Sequence, residues 1–294
     1  MSRRAWLLFA AMCVIWGLPY LFIKVAVENG IEPAVLVFAR TTIGAALLLP
    51  IATARHQLAP LWRHWRVLLI YTAVEIAVPW YLLSDAERTL NSSLAGLLVA
   101  GVPLIGVVLA GLVGGEEHFD ARRLAGLFVG LGGVALLFGF DVGSGDLRAV
   151  GEMMVVTIAY ATGPLIISRK LRGLPPMGVV SASLGLTAIA YAPYSLTHLP
   201  PHVPGPNVIA AIAVLAVVCT SLAFIVFFAL IAEAGPVRAT VITYVNPAVA
   251  VALGVLVLGE RFTATIAAGF VLILAGSVLA TGRSRLAQPQ PATP

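Results

Sequence analysis

Long unbroken apolar runs, separated by short polar connections, dominate the chain from Ala5 to Thr281. A run of about 20 apolar residues rising 1.5 Å per residue spans the roughly 30 Å hydrocarbon core of a bilayer. Ten such runs are read: helix 1 Ala5–Val27, helix 2 Ala34–Thr53, helix 3 Val67–Leu83, helix 4 Ser93–Val113, helix 5 Arg123–Phe140, helix 6 Val150–Ile167, helix 7 Met177–Leu196, helix 8 Val208–Ile231, helix 9 Val237–Leu258 and helix 10 Thr263–Thr281. The expected fold is therefore an all-α integral membrane protein with ten transmembrane helices. Helix 1 follows Ser2-Arg3-Arg4 like a secretory signal, but it runs too long and is expected to be retained.

Composition sharpens the class. Of 294 residues, 60% are hydrophobic and 11% charged, against about 25% charged in soluble domains, so the surface must face lipid. The net charge of +5 does not point to nucleic acid, because the basic residues sit in short loops and not on one soluble face. Their distribution sets orientation instead. With the amino terminus inside, Arg3, Arg4, Arg55, Arg63, Arg66, Arg122, Arg123, Arg169, Lys170, Arg172, Arg238, Arg283 and Arg285 all fall on the cytoplasmic side. The other side receives Arg88, Arg148, Arg261 and the helix-end Lys24. That asymmetry is expected of a multi-pass protein of a bacterial cytoplasmic membrane with both termini on the cytoplasmic side. The two cysteines, Cys13 and Cys219, lie in apolar runs and suggest neither a disulfide framework nor a thiolate metal site. No cofactor and no metal is expected.

An internal repeat follows from a constant shift. Ala95 overlays Ala239, Pro103 overlays Pro247 and Gly115-Glu116 overlays Gly259-Glu260, with 247 − 103 = 144; the same shift lays Trp16 on Tyr160. Two copies of a five-span unit result, read as residues 1–145 and 146–283, with a proline-bearing tail 284–294 expected to be disordered. Five is odd, so the second copy enters the membrane from the opposite side. Inverted repeats are characteristic of secondary transporters, whose site lies near the midplane between the copies.

Trp16-Gly17 with Lys24, and the stretch Ala229-Leu230, Gly235-Pro236, Pro247, Gly259-Glu260, Gly269 and Gly276, resemble the EamA-type repeats of the drug/metabolite transporter superfamily. The resemblance covers nearly the whole chain in two copies. The first copy departs from it, with Gly115-Glu116-Glu117 where the second has Gly259-Glu260-Arg261 and one extra residue before Gly126. The resemblance implies a cavity among helices 1, 3, 4, 6, 8 and 9 and alternating access for amino acids, metabolites, nucleosides or drugs, frequently outward. It also implies a basic residue after the Trp-Gly pair, which gives Lys24 its interest.

Candidate chemistry begins with charge at membrane depth, where insertion costs about 2.5–3.5 kcal/mol and such groups normally face a cavity or a partner. Glu75, mid-helix 3, is the candidate for proton coupling or for binding a substrate ammonium; the plainer reading is a buried, satisfied glutamate. Arg40 either forks a substrate carboxylate or partners Glu75. Lys24 either serves the site or extends its ammonium into the headgroups. Trp16, Tyr20, Tyr71, Trp80, Tyr81, Tyr160 and Tyr244 offer apolar bodies with polar tips to a solute, and Asn246 offers an amide. Trp6, Trp62 and Trp80 are equally explained as interfacial anchors, and Asn91 and Ser92 as caps of helix 4. Pro19, Pro103, Pro164 and Pro247 are hinge candidates, since each frees a backbone carbonyl. Gly126, Gly130, Gly269 and Gly276 read as close helix packing or a dimer contact.

Gly130-Leu131-Gly132-Gly133 lacks the preceding strand that a dinucleotide loop needs. All five histidines fall in loops or at helix ends and no Asp lies mid-span, which disfavours an intramembrane enzyme. Neither lysine follows Gly in a phosphate loop, which disfavours a primary pump. The expected function is secondary transport of a small organic solute, with a passive facilitator or channel as the alternative.

Overall fold

The computed structural model describes residues 1–112, 121–140 and 147–281. The spans, numbered in chain order, are α1 Arg3–Glu28, α2 Pro33–Ala54, α3 Ala59–Ala86, α4 Ser92–Leu109, α6 Leu147–Lys170, α7 Pro176–Thr197, α8 Pro206–Ala234, α9 Val241–Leu258 and α10 Ala264–Thr281, nine helices among the described residues that are long and apolar enough to cross a membrane. With the helix Ala121–Phe140 as α5, the ten expected spans are present. Helices satisfy every backbone group within the segment, which is what a lipid-embedded chain requires. The repeat residues Gly115 and Glu116, and the tail 284–294, lie outside the described residues.

The pairing of helices carries the symmetry that the 144-residue shift implies. α2 packs on α7, α4 on α9 and α5 on α10, three pairs that map onto themselves when each helix is exchanged for its counterpart five places on. The pairing of α1 with α8 likewise becomes that of α6 with α3, and α1 with α9 becomes α6 with α4. Glycines make the tightest of these approaches. A Cβ at Gly126 would strike the backbone of Gly276 and Ala280, and one at Gly133 the backbone of Gly269 and Ile273. The small residues are thus used inside the chain, between α5 and α10.

Several spans are broken where the sequence suggests continuity. α1 stops at Ile15 and restarts at Leu18, with Gly17 so close to Val249 and Asn246 of α9 that a side chain has no room. α4 breaks at Ala100-Gly101 and restarts at Val102. The α-helical part of α9 begins at Asn246, after a 3₁₀ stretch Thr240–Tyr244. Pro19, Pro103 and Pro247 therefore stand at helix restarts, where the missing N–H costs nothing. Pro164 lies inside an unbroken helix. Two spans widen to π geometry, α3 over Ala73–Ala77 and α8 over Val214–Leu222. These are equivalent positions: 75 + 144 = 219.

Candidate functional site

The two widened segments hold the residues of most chemical interest. In α8 the hydroxyls of Thr220 and Ser221 donate to the carbonyls five residues back, Leu215 at 2.8 Å and Ala216 at 3.0 Å. In α3 the carbonyl of Ala77 accepts from the Tyr191 hydroxyl at 2.9 Å, and Thr72 donates to Ser183 Oγ at 2.9 Å. Tyr191 of α7 thus bonds the last carbonyl of the widened turn, and Ser183 of α7 accepts from a hydroxyl just before it. Such bulges recur at functional sites because they redirect a side chain that a regular helix would place elsewhere.

Glu75 sits in the α3 bulge. Its Oε2 is sealed from solvent with no hydrogen-bond partner among the described residues. The carboxylate presses on Gly163 of α6, where a Cβ would overlap it, so Glu75 faces a neighbouring helix and not the hydrocarbon. Removing an ionised carboxylate from water is expensive without a partner, and Glu75 has been given space instead of a cation.

Arg40 is buried on α2. Its guanidinium lies 3.7 Å from the ring centroid of Trp80, and its Nε donates to Thr220 Oγ1 at 2.8 Å. No carboxylate pairs with it among the described residues, so the expected Arg40–Glu75 partnership is absent. A flat cation over an indole face is stabilised by the ring quadrupole, by about 2 kcal/mol when desolvated, while its outer N–H fork keeps the geometry suited to a carboxylate. Trp80 is 6% exposed and serves as this platform, an interior position that fits the first of its two readings and not an interfacial anchor. Trp6 and Trp62 are exposed, as anchors would be.

Aromatic residues wall this region symmetrically. Tyr160 packs into the cluster around Trp80, and Trp16 packs on Phe224 and Phe227 with centroids 6.1 and 4.7 Å apart. The shift relates the two arrangements, since 160 − 16 = 144 and 224 − 80 = 144. Tyr20, Tyr160 and Cys219 are close enough to Arg40 to act on it electrostatically.

The remaining candidates lie elsewhere. Tyr71 is packed in a separate cluster with Leu61, Leu68, Leu171 and Val179. Tyr244 shares a hydrogen bond of 2.7 Å with Thr281 Oγ1 at the end of α10. With its amide oriented to suit neighbouring carbonyls, Asn246 donates to Ile242 O at 3.0 Å and to Cys13 O at 3.1 Å, tying α9 to α1. Lys24 is buried, not extended into headgroups: its Nζ donates to the carbonyls of Glu87 at 2.8 Å and Leu90 at 2.9 Å and lies 3.2 Å from Glu28 Oε1. The cap of α4 also differs from expectation. Asn91 makes no side-chain cap; Glu260, from the other repeat, accepts from Ser92 N at 2.7 Å and Ser93 N at 3.0 Å.

Thr220 and Glu87 went unseen in the sequence. Thr220 is one hydroxyl among many in apolar runs, and Glu87 reads as a loop charge. Among the described residues no group of three or more His, Cys, Asp or Glu could hold a metal ion.

Comparison with known proteins agrees with this architecture. The EamA-like transporter family matches residues 3–139 and again 148–282, two copies in tandem. An uncharacterized transporter of Archaeoglobus fulgidus is 24% identical over 96% of this chain and 99% of its own length. The uncharacterized inner membrane transporter YedA of Escherichia coli K12 is 28% identical over 86% of this chain and 82% of its own. A probable amino-acid metabolite efflux pump of Salmonella typhimurium is 23% identical over 94% of each chain. A solved crystal structure, 22% identical, superposes over 95% of this chain and 98% of its own with a TM-score of 0.68, which shows the shared fold. The chain is a multi-pass membrane transporter and belongs to the EamA-like transporter family.

Proposed function

We propose that the chain is a secondary transporter of a bacterial cytoplasmic membrane that exports amino-acid-like solutes by alternating access, with its arginine-rich loops in the cytoplasm. The observation that carries this reading is a pair of opposite charges within one helical bundle, neither neutralising the other. Arg40 lies over Trp80 and is bonded to a hydroxyl, and Glu75 Oε2 is sealed beside Gly163 without a partner among the described residues. A buried charge held unpaired suits a ligand that brings the counter-charge. A zwitterion brings both: its carboxylate matches the Arg40 fork, and its ammonium matches Glu75. A proton can take the ammonium's place on Glu75, so solute and proton compete for one carboxylate, and their alternation couples outward solute flux to inward proton flux. The name of the Salmonella relative fits this solute class.

A passive facilitator remains the second reading, and counterflow separates the two. Proteoliposomes preloaded with unlabelled amino acid accelerate uptake of the labelled solute if the protein is a carrier, and leave it unchanged if it is an open pore. Ligand chemistry is tested by thermal shift, because a solute that binds only the folded state raises its apparent stability. Amino acids are expected to stabilise the purified protein, and their methyl esters are expected to lose roughly tenfold or more in affinity, the worth of a charge-assisted hydrogen bond. Equal stabilisation by the esters removes the Arg40 assignment.

A further inference from the structure

At the end of the bundle opposite the arginine-rich loops, two glutamates stand in opposite electrostatic settings. Glu260 follows Gly259, whose φ of +67° ends α9 in the left-handed region. It reaches the first turn of α4, where Ser92 N, Ser93 N and the Ser93 hydroxyl all donate to its oxygens. A helix start offers unpaired N–H groups and positive potential, a setting made for an anion.

Glu87 has the reverse. It caps the C-terminal end of α3, where unpaired carbonyls give negative potential. Its side chain is wholly buried, 0% exposed, and neither carboxylate oxygen has a hydrogen-bond partner among the described residues. Lys24, the cation that acts on it, points its three donors elsewhere, to the carbonyls of Glu87 and Leu90 and to Glu28. The charged groups around Glu87 are Lys24 and Glu28 from α1 and Glu260 from the end of α9; the hydroxyls of Tyr20 and Tyr160 lie within electrostatic range. Burial, chiefly, lifts the Glu87 carboxyl well above the usual carboxylate range; Lys24 pulls it back, and Glu260 and Glu28 raise it further.

We propose that Glu87 is a second proton-binding site of the transport cycle, neutral in this conformation, and that its ionisation releases the Lys24 clasp holding α1 to the α3–α4 connection. The O–H bond of the carboxyl breaks heterolytically, and the proton passes to water in the adjoining cavity, about 340 Å³, lined by Lys24, Glu28, Asn91, Leu258, Glu260 and Arg261. The carboxylate left behind outcompetes neutral carbonyls for the Lys24 ammonium, because charge-assisted bonds are about twice as strong as neutral ones. The ammonium then leaves the carbonyls of Glu87 and Leu90, and the connection between α3 and α4 is freed.

The residues of the clasp do not recur at the equivalent positions of the second repeat. The 144-residue shift carries Lys24 to Ser168, Glu28 to Arg172 and Glu87 to Ile231 (24 + 144 = 168, 28 + 144 = 172, 87 + 144 = 231), so the opposite end cannot reproduce it. Protonation therefore biases the cycle towards closure of the Lys24 end, whereas the repeats alone would leave the two closures nearly equivalent. The proposal rests on the transporter reading and is independent of the solute and of Glu75.

The test uses a chain with Cys13 and Cys219 replaced and Leu258→Cys introduced, in lipid vesicles, probed with a membrane-impermeant maleimide. Labelling is normalised to the same thiol in unfolded protein. From mildly acidic to mildly alkaline pH, normalised labelling should rise several-fold with Glu87 present and stay flat and low in Glu87→Gln; an unchanged rise in Glu87→Gln overturns the proposal. Infrared pH-difference spectra of Glu75→Gln give a second readout. A protonated-carboxyl band that titrates there and is lost when Glu87→Gln is added supports the second site; no such band, or one unchanged by Glu87→Gln, overturns it. Failure of wild-type counterflow, with that band present, would defeat the transporter reading and leave the proton site standing.

Discussion

An isolated charge in an apolar run is conspicuous in a sequence, and its partner is not. Glu75 and Arg40 stand out because each breaks a span that is otherwise uncharged or nearly so, and the insertion cost demands a reason for them. What the sequence suggests about Arg40, a pairing with Glu75, fails because the groups that receive it are Trp80, forty residues on in chain order, and Thr220, on α8 in the other repeat. No local pattern reports contacts over such separations. The Glu75 Oε2, without a partner among the described residues, leads to a definite expectation. Glu75→Gln keeps the shape and removes the charge, so the variant inserts and folds, as size-exclusion chromatography should show, yet loses the pH dependence of flux in proteoliposomes. Coupled transport that persists at every pH in Glu75→Gln would remove this carboxylate from the coupling step.

Among the elements, the breaks and bulges matter more than the regular turns. Periodicity and length located the spans, because apolar length is what lipid selects. The same signal cannot show that α3 and α8 widen at equivalent positions, since a π bulge changes hydrogen-bond register without changing composition. Proline gave partial notice: Pro19, Pro103 and Pro247 mark restarts, while Pro164 sits in a continuous helix. Glycine gave notice of a different kind, and its packing role is testable. Gly276→Val places atoms against the backbone of Gly126 and Gly130, which cannot yield as a flexible side chain would. Overpacking of this sort costs about 1–3 kcal/mol or more, so the melting temperature in detergent should fall by several degrees. Gly132, on the same helix α5 with nothing within 4 Å of a built Cβ, should accept Ala without loss and gain up to about 1 kcal/mol of helix stability.

For the molecule as a whole, duplication and inversion lead to an expectation about topology. The loop after α2, near Arg55, and its counterpart after α7, near Leu199, should lie on opposite faces of the membrane. Single cysteines at these two places, tested with an impermeant reagent in whole cells, should label only near Leu199; labelling of both or of neither would contradict the inverted arrangement. The sequence by itself determined the membrane class, the ten spans, the duplication and the most conspicuous charges, because those follow from apolar length, charge counts and a constant shift along one dimension. Only the tertiary structure decided what surrounds each charge. Folding two repeats face to face sets Arg40 on Trp80, Glu75 beside Gly163, Glu260 on the start of α4, and Glu87 at a helix end with no donor to its carboxylate among the described residues. A group's charge is set by its neighbours in space, and these neighbours come from helices far apart in the chain.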